Sequence, residues 1–321
     1  MIEGEFLIRL EDVRKYFPVY RGILRRKVGE VKAVDGVSLG VRAGEVFCVV
    51  GESGSGKTTL GRIACGLIEP DGGAVYLWDT PLSELNGRNA AHVRRRLQIV
   101  FQDPDSSLNP RMTVEATLRE ALRAAGKAGT RAEALELLHM VGMRAEHLVR
   151  YPHELSGGQK QRVCIARALA VDPVFMVADE PVSSLDVSIR TSILNLMLDL
   201  QRRLNLTYLF ISHDMAVTKY VADSVAVMYL GKICEMAPAG AFFGNPLHPY
   251  SRALLSSVPQ FYDLWSGEPV KLVGDPPSAM NPPQGCRFHT RCPYAFERCR
   301  VEEPKLIEAA PNHFVACHLY G

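Results

Sequence analysis

The sequence predicts an α/β fold of the P-loop NTPase kind, with an antiparallel β subdomain, a helical subdomain and a small Cys- and Pro-rich C-terminal extension. Three observations predict it. Residues 51–58 read GESGSGKT and fit G-x-x-x-x-G-K-[ST]. The apolar run Val174-Phe-Met-Val-Ala178 ends in Asp179-Glu180. Beyond residue 236 the composition shifts towards proline and cysteine.

Taken in order, residues 6–50 read as antiparallel strands leading to the glycine-rich loop, with Gly22 to Glu30 as an inserted loop. The basic stretch Arg21 to Lys27 is one short run in a chain of net charge +2, and reads as a solvated loop or hairpin arm rather than a nucleic-acid contact. Glu45-Val-Phe-Cys-Val-Val50 is short, β-branched and bounded by Gly44 and Gly51, which predicts a buried strand. Thr58 to Ile68 is predicted as a helix.

Strand, loop and helix N-terminus together present backbone N–H groups and the positive end of a helix dipole to an anion. Gly51, Ser53, Gly54, Ser55, Gly56 and Thr59 would shape the phosphate cradle. Lys57 would reach the β- and γ-phosphates, and the Thr58 hydroxyl would ligate Mg²⁺.

The next strand, Leu97-Gln-Ile-Val-Phe101, leads to Gln102. From Pro104 to about Met143 the sequence becomes Ala-, Leu- and Arg-rich with few β-branched runs, predicting a helical subdomain over about 104–165. The strand 174–178 places two carboxylates at the C-terminal edge of a parallel sheet, where open α/β sheets bind ligands. Asp179 would hold Mg²⁺ through a water, and Glu180 would polarise the attacking water as general base. Val187 to Leu204 is predicted as a helix whose Ile189, Ile193, Leu196, Met197 and Leu200 line one apolar face.

No stretch approaches the roughly 18 consecutive apolar residues a membrane helix needs, so the chain is not expected to cross a bilayer. Met-Ile-Glu-Gly-Glu lacks the basic and apolar regions of a secretory signal, which points to the cytoplasm. Of eight cysteines, Cys48, Cys65, Cys164 and Cys234 lie on core-like elements and read as small buried hydrophobes. Cys286, Cys292, Cys299 and Cys317 cluster in the proline-rich tail. Disulfides are poorly suited to that compartment, so a metal site is the reading. Four thiolates suit either tetrahedral zinc or an iron–sulfur cluster, and the spacing does not choose between them.

Leu-Ser-Gly-Gly-Gln at 155–159, followed by Lys160-Gln161-Arg162 and a helix, resembles the signature motif of ATP-binding-cassette (ABC) nucleotide-binding domains. Other elements follow in that family's order. Gln102 resembles the Q-loop glutamine, Ser184-Leu185-Asp186 the D-loop, His213 in Ile-Ser-His-Asp the switch histidine, and Phe17 or the adjacent Tyr16 the aromatic that stacks on adenine.

The resemblance implies an ABC ATPase domain over residues 1–235 and a split active site. Ser156, Gly157, Gly158 and Gln159 of one domain would close over ATP held by a second domain. His213 would contact the γ-phosphate, Gln102 would sense Mg²⁺ and the water, and Asp186 would lie at the nucleotide interface.

The tail, residues 236–321, narrows the resemblance. Asn245-Pro-Leu-His-Pro-Tyr-Ser-Arg-Ala-Leu-Leu255 with Val258-Pro259, and Cys286-Arg-Phe-His-Thr-Arg-Cys292-Pro with Cys299 and Cys317, resemble the C-terminal region of dipeptide and oligopeptide importers. So does Phe101-Gln-Asp-Pro-Asp-Ser-Ser-Leu-Asn-Pro-Arg111. This implies a peripheral subunit at the cytoplasmic face of the cell membrane. Its partners would be a second, related ATPase, two transmembrane permease subunits and an extracytoplasmic substrate-binding protein. ATP, Mg²⁺ and a four-iron, four-sulfur cluster are the implied cofactors, the cluster serving as a staple for a tail with little core. Peptide is the family's main cargo, with nickel or oligosaccharides as alternatives. A soluble, non-transport cassette ATPase is the other class, but such proteins usually carry two cassettes or coiled-coil insertions, and this chain has neither.

Overall fold

The computed structural model describes residues 6–22, 26–85, 93–258, 272 and 274–321, divided between two compact units. Met1–Glu5, residues 23–25 of the basic stretch, and Pro259 of the tail motif lie outside the described residues.

The first unit contains residues 1–41, 46–82 and 211–321. Its N-terminal part is an antiparallel sheet in which the long strands Phe6–Arg21 and Arg26–Arg42 are neighbours and Phe6–Arg21 pairs with Gly72–Leu77. The inserted loop expected over 22–30 is therefore shorter, since Arg26 to Glu30 already belong to the second strand. Alternation accounts for much of the long pairing: Ile8 and Leu10 are buried on one strand, as are Val37, Leu39 and Val41 on the other.

The same unit carries a second sheet. Val46–Val50, buried at every residue, pairs parallel with Ser224–Tyr229. Ser224–Tyr229 pairs antiparallel with Lys232–Pro238, which in turn pairs with His313–Val315, and Ile307–Ala310 closes the edge. The tail thus supplies two strands to the unit that holds the glycine-rich loop, and the compact units do not divide at residue 235.

The helix after the loop runs Lys57–Ala64, not to Ile68. Its C-cap is Cys65, and Gly66 at φ +72° turns the chain out of helical geometry.

The second unit contains residues 42–45 and 83–210. Leu97–Val100 and Phe175–Asp179 pair parallel in the register Leu97 with Phe175 to Val100 with Ala178. Phe101 falls just past the first strand. Between them lie the helices Pro104–Ser107, Val114–Ala124 and Arg131–Met140 and the signature helix Gly157–Leu169. The helical region therefore extends a turn beyond residue 165.

Local chemistry sets these boundaries. Asp103 caps the first helix, Thr113 the second, and Thr130 forms a reciprocal capping box with Glu133 on the third. In the helix Val187–Leu204, Ile193, Met197 and Leu200 are buried as expected, whereas Ile189 and Leu196 are only half-buried. Leu194 takes a core place instead, because the buried stripe is wider than a single row of side chains.

Candidate nucleotide site

In the first unit the glycine-rich loop is held by sterics. A Cβ on Gly51 would lie 2.1 Å from the Met228 carbonyl oxygen, and one on Gly56 would lie 1.9 Å from that of Ala33. Only glycine fits where backbone meets backbone this closely. Gly56, at φ +107°, is also the N-cap of the helix Lys57–Ala64 and provides no side-chain cap. The first N–H groups of that helix therefore meet no capping side chain from this residue, the arrangement an anion would complete.

Lys57 is buried, and its Nζ donates to the carbonyls of Gly51 and Glu52, each at 2.8 Å. Ser55 is also buried, while Ser53 and Gly54 are exposed and Thr58 and Thr59 half-buried. Glu52, which the motif leaves unspecified, meets the tail: its N–H donates to the Tyr250 hydroxyl at 2.8 Å, and its carboxylate accepts both terminal nitrogens of Arg291.

Tyr16 and Phe17, adjacent on one strand, point to opposite faces as period two requires. The Tyr16 hydroxyl donates to the Asp35 carboxylate, and burial with that hydrogen bond pushes its pKa up to about 12. Phe17 is 38% exposed, with Lys15 Nζ 5.9 Å from its ring centroid. Of the two, Phe17 is the more exposed. His213 is exposed, and the following Asp214 caps the helix Met215–Val221 through the N–H groups of Ala216 and Val217.

In the second unit, Asp179 is buried at the end of its strand, and Glu180 follows at φ +48°. A left-handed conformation at a non-glycine residue costs about 1–2 kcal/mol, and here it turns the carboxylate off the strand direction. The Gln102 amide nitrogen donates to Glu180 Oε2 at 3.1 Å. The two residues lie 78 positions apart in the sequence, and the parallel pairing of their strands brings them together.

Ser156 N-caps the signature helix. Its Oγ accepts from Gln159 N–H at 3.4 Å, and Gln159 Oε1 accepts from Ser156 N–H at 2.9 Å. Gly158 has a packing role that the motif does not announce: a Cβ there would lie 2.5 Å from Ile189 Cγ2. Asp186 occupies the N-cap position of Val187–Leu204 yet makes no side-chain capping bond, and Arg190 holds the loop backbone through the carbonyls of Leu185 and Ser183.

Cys48, Cys65, Cys164 and Cys234 are all buried. The tail thiols share one environment. Burial pushes Cys286, Cys292 and Cys317 up to about 11, and neighbouring thiols, Cys299 among them in each case, add to the rise. Cys286 N–H also donates to the Cys299 carbonyl at 2.9 Å. Among the described residues, no group of three or more His, Cys, Asp or Glu side chains is arranged to hold one metal ion. Among the described residues neither the zinc nor the iron–sulfur alternative therefore finds an assembled ligand set. Nor is any described helix long and apolar enough to cross a membrane.

A glycine-rich phosphate loop opening a helix, an acid pair ending a parallel strand and a capped Leu-Ser-Gly-Gly-Gln helix define an ATPase of the ABC type. Comparison with known proteins places it further. Residues 34–183 match the ABC transporter family, and residues 234–299 match the oligopeptide/dipeptide transporter C-terminal region. The chain is 49% identical to the oligopeptide transport ATP-binding protein AppF of Bacillus subtilis, over 99% of this chain and 98% of that one. It is 45% identical to the dipeptide transport ATP-binding protein DppF of Haemophilus influenzae, over 98% of this chain and 97% of that one. Among solved structures, the dimeric bacterial ABC transporter cassette MJ0796 is 28% identical, with a TM-score of 0.63, covering 72% of this chain and 98% of that one. The chain belongs to the ABC transporter ATP-binding family, in its oligopeptide/dipeptide branch, and is an ATPase coupled to transport.

Proposed function

We propose that this chain is one of two related ATPase subunits driving a binding-protein-dependent importer of dipeptides or oligopeptides, seated at the cytoplasmic face of the membrane against two permease subunits. The carrying observation is that the likeness to peptide transport ATP-binding proteins runs the whole length of the chain, tail included.

In this reading Lys57 and the loop Gly51, Ser53 to Gly56 and Thr59 bind the phosphates, Phe17 stacks on the base, and Thr58, Asp179 and Gln102 serve Mg²⁺. Glu180 acts on the attacking water and His213 on the γ-phosphate. Ser156, Gly157, Gly158 and Gln159, with Asp186, complete the site of the partner ATPase, so closure of the pair on ATP is the power stroke and hydrolysis reopens it.

A four-iron, four-sulfur cluster in the tail is proposed on the resemblance of this segment to the C-terminal region of peptide importers. The four thiols share one buried environment, although among the described residues no group is arranged to hold a metal ion. A polynuclear iron–sulfur cluster is held by cysteine thiolates. Its contribution is the cross-linking of a tail with a small core, and Cys286, Cys292, Cys299 and Cys317 would hold it.

The test is anaerobic purification of the tagged chain from its native membrane, identification of what accompanies it, and measurement of ATPase activity with a peptide-loaded binding protein. Two permeases, a second ATPase and peptide-stimulated turnover are expected. A chain that purifies without permeases, or turnover indifferent to peptide, would overturn the reading.

A further inference from the structure

The segment Cys286–Cys292 carries two arginines, each beside a tail thiol, and both are buried. Arg291 Nη1 donates to Glu52 Oε2 at 2.6 Å and Nη2 to Oε1 at 3.1 Å, a fork-to-fork pair with one member inside the phosphate loop. Arg287 donates to the Asp35 carboxylate and to the Leu230 carbonyl. Asp35 is the group that also receives the Tyr16 hydroxyl, next to Phe17. All of these residues belong to the first compact unit.

Glu52 is the node. Its carboxylate is taken by Arg291, its N–H by the Tyr250 hydroxyl, and its carbonyl by Lys57 Nζ at 2.8 Å. Two of these three partners come from the tail, and the third is the lysine of the phosphate motif. The contact region is packed as well as charged. Tyr250 lies 4.7 Å from Tyr229 and 5.3 Å from Phe288 between ring centroids. A cavity of ≈ 310 Å³ is lined jointly by Glu52 to Ser55 and by Pro276, Pro277 and Ala279 of the tail. A buried ion pair contributes little net stability, because desolvation offsets attraction, so its main effect here is on geometry.

We infer that the Cys286–Cys292 segment is a clamp on the nucleotide pocket, with Arg291 and Tyr250 as positioning residues that fix Glu52, and through its carbonyl Lys57, in the conformation that receives phosphate. Arg287 holds the pocket's other strand at Asp35. Nucleotide affinity and order in the tail are then two sides of one equilibrium, and by linkage each must change the other. The inference rests on the phosphate-loop role given above to Lys57.

The experiment uses the full chain with its copurifying partners and reads nucleotide affinity with a fluorescent ATP analogue, kcat and KM for ATP, and amide exchange across residues 285–300. Arg291→Met should weaken nucleotide binding about tenfold and raise KM while leaving kcat nearly unchanged. A purely structural role would lower the active fraction, and hence kcat, without this split. ATP should slow exchange across 285–300 in the unaltered chain and fail to do so in Arg291→Met. Reversing the pair, Glu52→Arg with Arg291→Glu, should recover part of the affinity that Arg291→Glu alone loses.

Unchanged affinity in Arg291→Met, or exchange over 285–300 indifferent to ATP in the unaltered chain, would overturn the clamp. The exchange measurement decides even if the variant does not fold. Lys57→Ala separates the two levels: if it retains full nucleotide binding, the phosphate-loop reading itself falls. If it loses binding while Arg291→Met is silent, only the clamp does.

Discussion

The Gln102 side-chain amide donates to the Glu180 carboxylate at 3.1 Å, so a residue two places beyond one parallel strand and the residue directly after its neighbour already touch. Glu180 is held at a left-handed φ of +48°, and the Gln102 amide fixes one of its oxygens. Anything that displaces Gln102 therefore moves the group proposed to act on water.

Glu180→Gln should lower ATP turnover by about a hundredfold or more, the usual contribution of a general base, while ATP still binds and traps the closed pair of ATPases. Gln102→Ala should reduce turnover less and loosen its dependence on the transported substrate. Single-turnover hydrolysis alongside nucleotide retention reads both, and retained turnover in Glu180→Gln would remove the base assignment.

Gly158→Ala places a methyl 2.5 Å from Ile189 Cγ2, on a β-branched side chain with little rotamer freedom. The variant should lose about 1–3 kcal/mol by overpacking, and Ile189→Ala should restore most of it. Denaturant midpoints of the two single variants and the double variant check this. Additive losses would mean that the helices separate rather than repack.

His248 is fully enclosed, and burial pushes its pKa down to about 4, with Arg252 reinforcing the effect and Glu235 opposing it. Its Nδ1 accepts the Tyr250 N–H at 3.0 Å, capping the helix Pro249–Ser256, which a proton on that nitrogen would forbid. Between pH 6.5, the ordinary value, and about 4 the unfolded chain binds the proton that the folded chain refuses. Stability from this group is therefore complete above that window and is lost as pH falls through it, by up to about 3 kcal/mol. His248→Asn keeps a capping acceptor and removes the titration, so its unfolding free energy should fall less steeply across the same pH range. An unchanged slope would assign the acid sensitivity elsewhere.

Cys286→Ser and Cys317→Ser should each lower the iron and sulfide content of the anaerobically purified chain and its melting temperature, while Cys164→Ser, on the signature helix, should leave metal content unchanged. Equal iron in all three variants would separate the thiols from any cluster.

The phosphate loop, the acid pair and the signature helix were legible because each is a local pattern. A strand, a tight glycine turn and a capped helix leave their marks within a dozen residues of one another. The Gln102–Glu180 contact was not legible: the sequence marked both residues for roles at the nucleotide, but nothing in it pairs their side chains. The early end of the loop helix at Ala64 was not legible, since nothing in Leu67 and Ile68 opposes a helix and the turn is made at Gly66. The place of Leu194 in the core depends on neighbours supplied by other segments. The pairs Arg287–Asp35 and Arg291–Glu52 span 252 and 239 positions, and no periodicity marks a partner at that distance. Glu52 occupies a motif position open to any residue, so only the fold reveals its three partners.

His313–Val315 lies against Lys232–Pro238, and Ile307–Ala310 lies outside that. The outermost rungs of the first unit's second sheet are thus written well after the cassette motifs, in the tail. A nascent chain leaving the ribosome would finish its phosphate loop long before the strands that shield the sheet's flank exist. Until His313–Val315 has been made, Lys232–Pro238 presents a bare edge to any other strand. Premature termination in the tail would therefore leave that edge unpaired and open to self-association.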